Sequence, residues 1–208
     1  KIDNVRFYGN DNVDDFRLKK QLKGTKEMGK MTLNPAYQPS PYGTDKPFSF
    51  SQWLKEWGFL SLSKTKRLLD PWFRFKLSGA KFEQTKYEED REKLLDYYNS
   101  LGYRDVQIVE DTLLTINKTG NINVDIKVDE GRKYYFGNIT WKGNAKYTDS
   151  TLNNILGISK GDVYNLSALN RRLGKEASQE GGDISGLYMD DGYLFFRAEP
   201  VETAVYND

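Results

Sequence analysis

Adjacent carboxylates such as Glu88-Glu89, Asp129-Glu130 and Asp190-Asp191 are residues whose types could support acid–base chemistry in this chain. Cleaving a glycosidic bond needs only two acids about 5 to 10 Å apart, and clustered aspartates can also take calcium. Their placement weighs against both. The first pair falls mainly on the solvated face of a helix and the other two fall in turns, while the spacing around Asp190 and Asp191 matches no calcium loop. The 208 residues include no Cys and no His, which removes Cys and His nucleophile relays, thiolate metal sites and the usual zinc constellations. The sequence therefore predicts no catalysis, no metal and no cofactor.

Charge and hydropathy narrow the partners. Lys plus Arg (31) nearly cancels Asp plus Glu (30), so no strong overall field draws the chain to nucleic acid or an anionic membrane, and only local patches could do so. No run approaches the roughly 18 apolar residues that cross a bilayer, and the mean hydropathy is negative. The opening Lys1, with no initiator Met and no signal pattern, reads as a processed protein or part of a longer one, with any membrane part elsewhere. The absence of Cys leaves the redox compartment open.

The elements that position these residues follow from periodicity. Ile2, Val5 and Phe7 alternate with polar neighbours as a strand that stops at Gly9-Asn10. Asp14 or Asp15 caps a helix with a Phe16, Leu18, Leu22 stripe, and Gly24 is its predicted stop. Residues 25–78 then read as an insertion, with Pro35, Pro39, Pro41 and Pro47 ahead of a crowd of aromatics. Within it Phe50, Trp53, Leu54 and Trp57 recur at helical spacing up to Gly58, and Lys64–Leu69 predicts a further helical turn. Aromatics buried against the domain are the first expectation there; a partner patch at Trp53, Trp57 and Phe59 is the alternative.

Lys86–Leu101 is the clearest helix, with Tyr87, Asp90, Arg91, Leu94, Leu95, Tyr98 and Leu101 on one face and Gly102 as its end. A strand over 104–117, a turn at 118–121 and the alternating Ile122, Val124, Ile126, Val128 make a hairpin. After Glu130-Gly131 the pattern restarts almost without a linker, which predicts a stiff junction. Thr148 or Asp149 caps a helix with Leu152, Ile155 and Leu156, closed by Gly157. Asn165 caps another with Leu166, Leu169 and Leu173, broken at 180–183 and resumed through Ile184, Leu187 and Tyr188 to Gly192.

The restart is a repeat. Asn-Val-Arg-Phe-Tyr-Gly-Asn at 4–10 returns as Asn-Ile-Thr-Trp-Lys-Gly-Asn at 138–144, and Leu18 and Leu22 map onto Leu152 and Leu156 at the same offset of 134 residues. Tyr98 and Gly102-Tyr103 map onto Tyr188 and Gly192-Tyr193 at an offset of 90, and Gly79-x-x-Phe82 matches Gly161-x-x-Tyr164. Each copy reads β-α-α-β-β, two helices on one face of a three-stranded sheet whose other face meets solvent or a neighbour. Gly9-Asn10 and Gly143-Asn144 supply tight exits from the first strand. Gly102 and Gly192 supply left-handed caps, and Tyr103 and Tyr193 lay rings over the helix ends with wet hydroxyls.

This order of Gly-Asn, Gly-Tyr and Glu-Gly motifs resembles the POTRA domain, and the pair resembles the periplasmic arm of a BamA-like outer-membrane β-barrel assembly factor. The resemblance implies an α+β fold of tandem POTRA-like modules, a first at 1–133 with its insertion at about 25–78 and a second at 134–208. Two departures accompany it: the first module is longer than a standard one, and the second ends after its second strand, Leu194–Tyr206, so it lacks the third strand expected between strands one and two. That strand at 194–206 is accordingly expected to be detached, disordered or paired with another chain.

The same resemblance implies a non-enzymatic holding task on the periplasmic side of the outer membrane of a Gram-negative bacterium. Its partners would be unfolded outer-membrane β-barrel proteins, accessory assembly lipoproteins, periplasmic chaperones and a C-terminal membrane β-barrel in the same polypeptide, with no nucleic acid. A free sheet edge takes extended guests through its backbone N–H and C=O groups with little demand on sequence. Strand two of the first module is the expected free edge, with Val106, Ile108, Leu113 and Leu114 as its apolar contribution and Asp105, Glu110 and Asp111 guarding it against aggregation. The alternatives are the POTRA pair of a TamA-like or two-partner-secretion transporter, and a scaffold that only spaces protein complexes.

Overall fold

The computed structural model describes residues 1–31, 33, 39–44, 48–74, 81–115, 120–176 and 182–205. Pro35, Pro47, Gly79, Ile116, the start of the 118–121 turn, Glu180-Gly181 and Tyr206, all used in the sequence reading, lie outside them. The chain forms two compact units: Lys1–Tyr98 with Asp105–Gly131, and Asn99–Arg104 with Arg132–Asp208. Among the described residues no helix is long and apolar enough to cross a membrane.

Unit one is mixed α+β. Strand β1 (Ile2–Tyr8) leads into helix α1 (Asp15–Gln21), whose N-cap Asp14 accepts a hydrogen bond from the Phe16 N–H. The insertion holds two-residue strands β2 (Lys30–Met31), β3 (Pro39–Ser40) and β4 (Gly43–Thr44), helices α2 (Phe50–Lys55) and α3 (Leu62–Leu69), and β5 (Phe73–Arg74). β2 pairs antiparallel with β5, and β3 with β4. Helix α4 (Gln84–Ser100) is followed by strands β6 (Gln107–Thr115) and β7 (Ile122–Asp129).

The sheet order is β1-β7-β6, with β7 parallel to β1 and antiparallel to β6. The last strand in sequence is thus the middle one in space, as the resemblance implies. The register sets Val5 beside Val124 and Phe7 beside Ile126 on one face. These residues join Val13, Leu18, Leu22, Tyr87, Leu94 and Tyr98 in the buried core, so α1 and α4 cover this face. A Leu-to-Ala change at a site such as Leu18 or Leu94 costs about 2–5 kcal/mol.

The opposite face departs from expectation, because it is not simply open to solvent. There Arg6 pairs with Asp125 in a buried two-pronged ion pair, Nε–Oδ1 at 2.5 Å and Nη2–Oδ2 at 2.6 Å. Tyr42, in the turn between β3 and β4, lies edge-on to Tyr8 at 5.5 Å and is bonded to the Thr112 hydroxyl at 2.8 Å. The Lys127 ammonium sits 5.8 Å from the same Tyr42 ring. Part of the insertion therefore folds back over all three strands.

Other differences are local. Helix α1 ends at Gln21 with Leu22 as its cap, earlier than the predicted stop at Gly24. Gly24 instead permits close approach to α4, since a Cβ there would lie 2.7 Å from Lys86 Cβ. Helix α2 ends at Lys55, and a short 3₁₀ turn runs from Gly58 to Leu60 before α3. Phe50, Trp57 and Phe59 are exposed, which corrects the first expectation of burial. They pack chiefly on one another and on half-buried Trp53, whose ring stacks on Phe50 at 5.3 Å.

Unit two is a helical layer: α5 (Asp149–Leu156), α6 (Leu166–Leu173) and α7 (Ile184–Asp190) enclose Leu152, Leu156, Leu169, Leu173, Ile184 and Tyr188. α6 stops at Gly174, in the left-handed region, ahead of the predicted break. Phe136, Ile139 and Trp141 from one extended segment and Phe196 and Ala198 from another pack against these helices. Neither segment forms a strand, and the packing of Phe196 and Ala198 on the helices corrects the expectation of a detached or disordered strand at 194–206; among the described residues the bridge found is between Tyr135 and Val163. In unit one β7 supplies hydrogen bonds to both neighbours, and unit two shows no counterpart of it among the described residues.

The repeated motifs keep their geometry. Gly9 and Gly143 have φ of +78° and +79°. Asn10 donates to the Val13 carbonyl (2.8 Å) and Asp15 (2.7 Å), and Asn144 donates to the Tyr147 carbonyl (3.0 Å) and Asp149 (2.7 Å). Gly102 and Gly192 take φ of +97° and +90°. The following tyrosines differ: Tyr193 is half exposed, as expected of a wet hydroxyl, whereas Tyr103 is buried.

Candidate functional site

Of the two outer strands in unit one, β1 has its free side engaged. The Met28 N–H donates to the Ile2 carbonyl at 2.8 Å, and the Val5 N–H donates to Glu27 Oε1 at 2.8 Å. Glu27 is buried and also holds the Lys19 ammonium at 2.8 Å, so its position is fixed. Glu27 and Met28 went unnoticed in the sequence, where they sit at the start of the insertion without any strand pattern.

On β6 the side away from β7 has no main-chain partner among the described residues. Val106 lies one residue ahead of the strand and is buried, while Ile108 and Leu114 are half-buried and Leu113 is exposed. Leu113 is paired with Val124 and Ile108 with Val128, which sets both on the helix-covered face; Leu114 is paired with Asn123 on the opposite face. The four named residues thus divide between the two faces. A bulge between Ile108 and Glu110 leaves Val109 57% exposed, an apolar edge residue that sequence alternation did not pick out.

The acids near this strand have specific tasks. Asp111 accepts the Tyr87 hydroxyl at 2.9 Å and pairs with Arg91 at 3.4 Å, tying β6 to α4 in addition to placing charge near the edge. Burial first, and the Asp111 carboxylate second, push the Tyr87 phenol well above its ordinary value, so it stays a donor at any physiological pH. Glu110 is exposed beside the bulge. Its charge opposes a second edge stacking on the first.

The carboxylate pairs weighed for catalysis are otherwise engaged. Glu88 and Glu89 are exposed on α4. Glu130 is buried, accepting from the Asn12 N–H (2.9 Å) and side chain (2.7 Å), the Val13 N–H (3.2 Å) and the Tyr98 hydroxyl (3.0 Å), while its neighbour Asp129 accepts the Gly131 N–H. Asp191 accepts the Tyr147 hydroxyl and faces Lys146. Asp90, fully buried on α4, accepts from the N–H groups of Lys23, Gly24 and Thr25 at 3.0, 2.8 and 2.7 Å. The signal for Asp90 was present, since an acid on the apolar stripe of a helix needs donors from elsewhere.

In the insertion, Trp53 donates from Nε1 to Thr65 and packs against Phe59, whereas Trp57 and Phe59 are 64% and 52% exposed. Of the three residues named for a partner patch, Trp53 thus holds the fold of the segment and the other two present surface.

Comparison with known proteins bears on all of this. The family model described as POTRA, surface antigen variable number repeat, matches residues 1–131 and again 134–208. The chain is similar to the outer membrane protein assembly factor BamA of Neisseria meningitidis serogroup B, 25% identical over 118 residues, covering 56% of this chain and 14% of that protein. It is also similar to a putative outer membrane protein assembly factor of Treponema pallidum, 25% identical over 127 residues, covering 61% of this chain and 14% of that protein. It thus spans about one seventh of the length of these relatives. Among solved structures, the crystal structure of Haemophilus influenzae BamA POTRA3-5 is similar at a TM-score of 0.47 and 21% identity, over 84% of this chain and 52% of that one.

Proposed function

The chain belongs to the POTRA family, and from that premise we propose that it is a non-enzymatic holding segment of an outer-membrane assembly factor, its two modules spanning 1–133 and 134–208. Its guests are extended polypeptides, foremost unfolded outer-membrane β-barrel proteins, taken up as an added strand along β6. The observation that carries this reading is the asymmetry of the sheet: β1 is covered by Glu27 and Met28, while the outer backbone of β6 has no main-chain partner among the described residues. Main-chain pairing makes few demands on guest sequence, which suits a range of clients with alternating patterns. The names of the two curated relatives, an outer membrane protein assembly factor and a putative one, support a setting in outer-membrane assembly; the segment's place in this reading is the periplasmic face of that membrane, alongside accessory subunits.

Amide hydrogen exchange on the 208-residue chain tests it. A peptide copying one strand of an outer-membrane β-barrel protein is expected to slow exchange along Gln107–Thr115 and to leave Ile2–Tyr8 unchanged. Protection confined to any other segment, or none at saturating peptide, sinks the reading.

A further inference from the structure

The tip of the insertion combines three features that folding of unit one does not require. Leu60 and Leu62 are 77% and 86% exposed, and Phe50, Trp57 and Phe59 lie exposed around them. Leu60 and Leu62 stand out from the surface, while the rings of Phe50, Trp57 and Phe59 pack among themselves and on Trp53. Trp57 also adopts the left-handed region, φ +53°, and is the one non-glycine to do so among the described residues. That conformation is costly for a bulky residue and here leaves Trp57 64% exposed, a combination associated with functional positions.

The charge around this tip is one-sided. Residues 50–70 carry Lys55, Lys64, Lys66 and Arg67 against Glu56 and Asp70, in a chain that is otherwise nearly neutral. Lys66 lies one turn beyond Leu62 on the same face of α3. Its ammonium rests 4.6 Å from the Phe16 ring, and the Arg67 guanidinium lies 5.1 Å from Phe48. Lys64 is offset by an acid, Glu56 at 3.0 Å.

We propose that this tip, Phe50–Leu62 with the cations of α3, docks on an anionic lipid surface. Projecting Trp, Phe and Leu enter the headgroup and acyl boundary while lysine and arginine meet lipid phosphates, and a fluid interface needs no complementary groove for a protruding cluster. The inference goes beyond strand capture at β6 and uses different residues.

Co-sedimentation of the 208-residue chain with vesicles of phosphatidylglycerol and phosphatidylethanolamine tests it against vesicles of phosphatidylcholine alone. Binding is expected to the anionic vesicles, with a blue shift of Trp57 emission that Trp57→Phe removes, and to weaken as salt rises from about 0.1 to 0.5 M. The pair Leu60→Glu and Leu62→Glu, at surface positions that should leave the fold intact by circular dichroism, is expected to lower partitioning about tenfold or more. Absence of binding to anionic vesicles, equal binding by the double variant, or capture of a polypeptide alone at this tip overturns the proposal. Peptide protection at β6 is read without vesicles, so failure of either proposal is seen separately.

Discussion

The Tyr98 hydroxyl donates to Glu130 Oε1 at 3.0 Å, joining helix α4 to the end of β7 at the point where Glu130 also gathers the N–H groups of Asn12 and Val13. One carboxylate thus ties together the loop before α1, the second helix and the central strand. Glu130→Ala leaves these donors without their acceptor and is expected to destabilise unit one by about 2–4 kcal/mol, against about 1 kcal/mol for Tyr98→Phe. Urea titration followed by far-UV circular dichroism distinguishes the two; equal small effects would mean that water replaces the carboxylate.

The two Gly-Asn turns share a backbone conformation and differ in what surrounds them. A Cβ at Gly9 would overlap the Val128 carbonyl oxygen, whereas one at Gly143 meets nothing within 4 Å. Gly9→Ala is therefore expected to cost about 3 kcal/mol or more, adding overlap to backbone strain, and Gly143→Ala about 1 kcal/mol from strain alone. Thermal unfolding of both variants checks the order.

The buried Arg6–Asp125 pair gives a double-mutant cycle. Arg6→Met alone strands the Asp125 carboxylate, which is 0% exposed, with an expected loss of about 3–5 kcal/mol, whereas Asp125→Leu alone removes the two-pronged acceptor of Arg6. The double substitution is expected to recover most of the Arg6→Met loss, because the buried carboxylate goes with its partner. Additive losses in chemical denaturation would show that the pair does more than neutralise itself.

Unit two has a pH-sensitive contact. The hydrogen bond to Asp191, with burial second, pushes the Tyr147 phenol up to about 12, and the same bond holds Asp191 below its ordinary value. For Tyr147 the folded value lies above the unfolded one, so its contribution is complete below pH 10 and lost as pH rises through about 12. For Asp191 the folded value lies below 3.8, so its contribution is complete above that pH and lost on further acidification. In a difference titration at the tyrosinate absorbance, Asp191→Asn is expected to return Tyr147 toward 10, and an unchanged titration would exclude the contact from solution.

Much of unit one was legible because its signals are local. The stripe of Tyr87, Leu94 and Tyr98 reads as a helix from spacing alone, and all three are buried. The alternation of Val124, Ile126 and Val128 likewise announced β7. The turns at Gly9 and Gly143 were visible because only glycine adopts their backbone at little cost. Exposure of the insertion aromatics was not, since Phe50, Trp53 and Trp57 have the same helical spacing whether they face a core or solvent.

The sequence by itself determined the repeat, the helices with N-caps at Asp14, Thr148 and Asn165, the strands of the first module and the residue types that rule out thiol and imidazole chemistry. Only the tertiary structure decided that Glu27 and Met28 cover β1, that Tyr42 lies across the far face of the sheet, and that Asp90 and Glu130 hold loops about 66 and 118 residues away. The physical reason is range. Periodicity and capping act over one or two turns of chain, whereas a strand becomes a strand through a neighbour's hydrogen bonds, so Ile2–Tyr8 forms β1 beside β7 while 138–144, the repeat of 4–10, has no strand partner among the described residues.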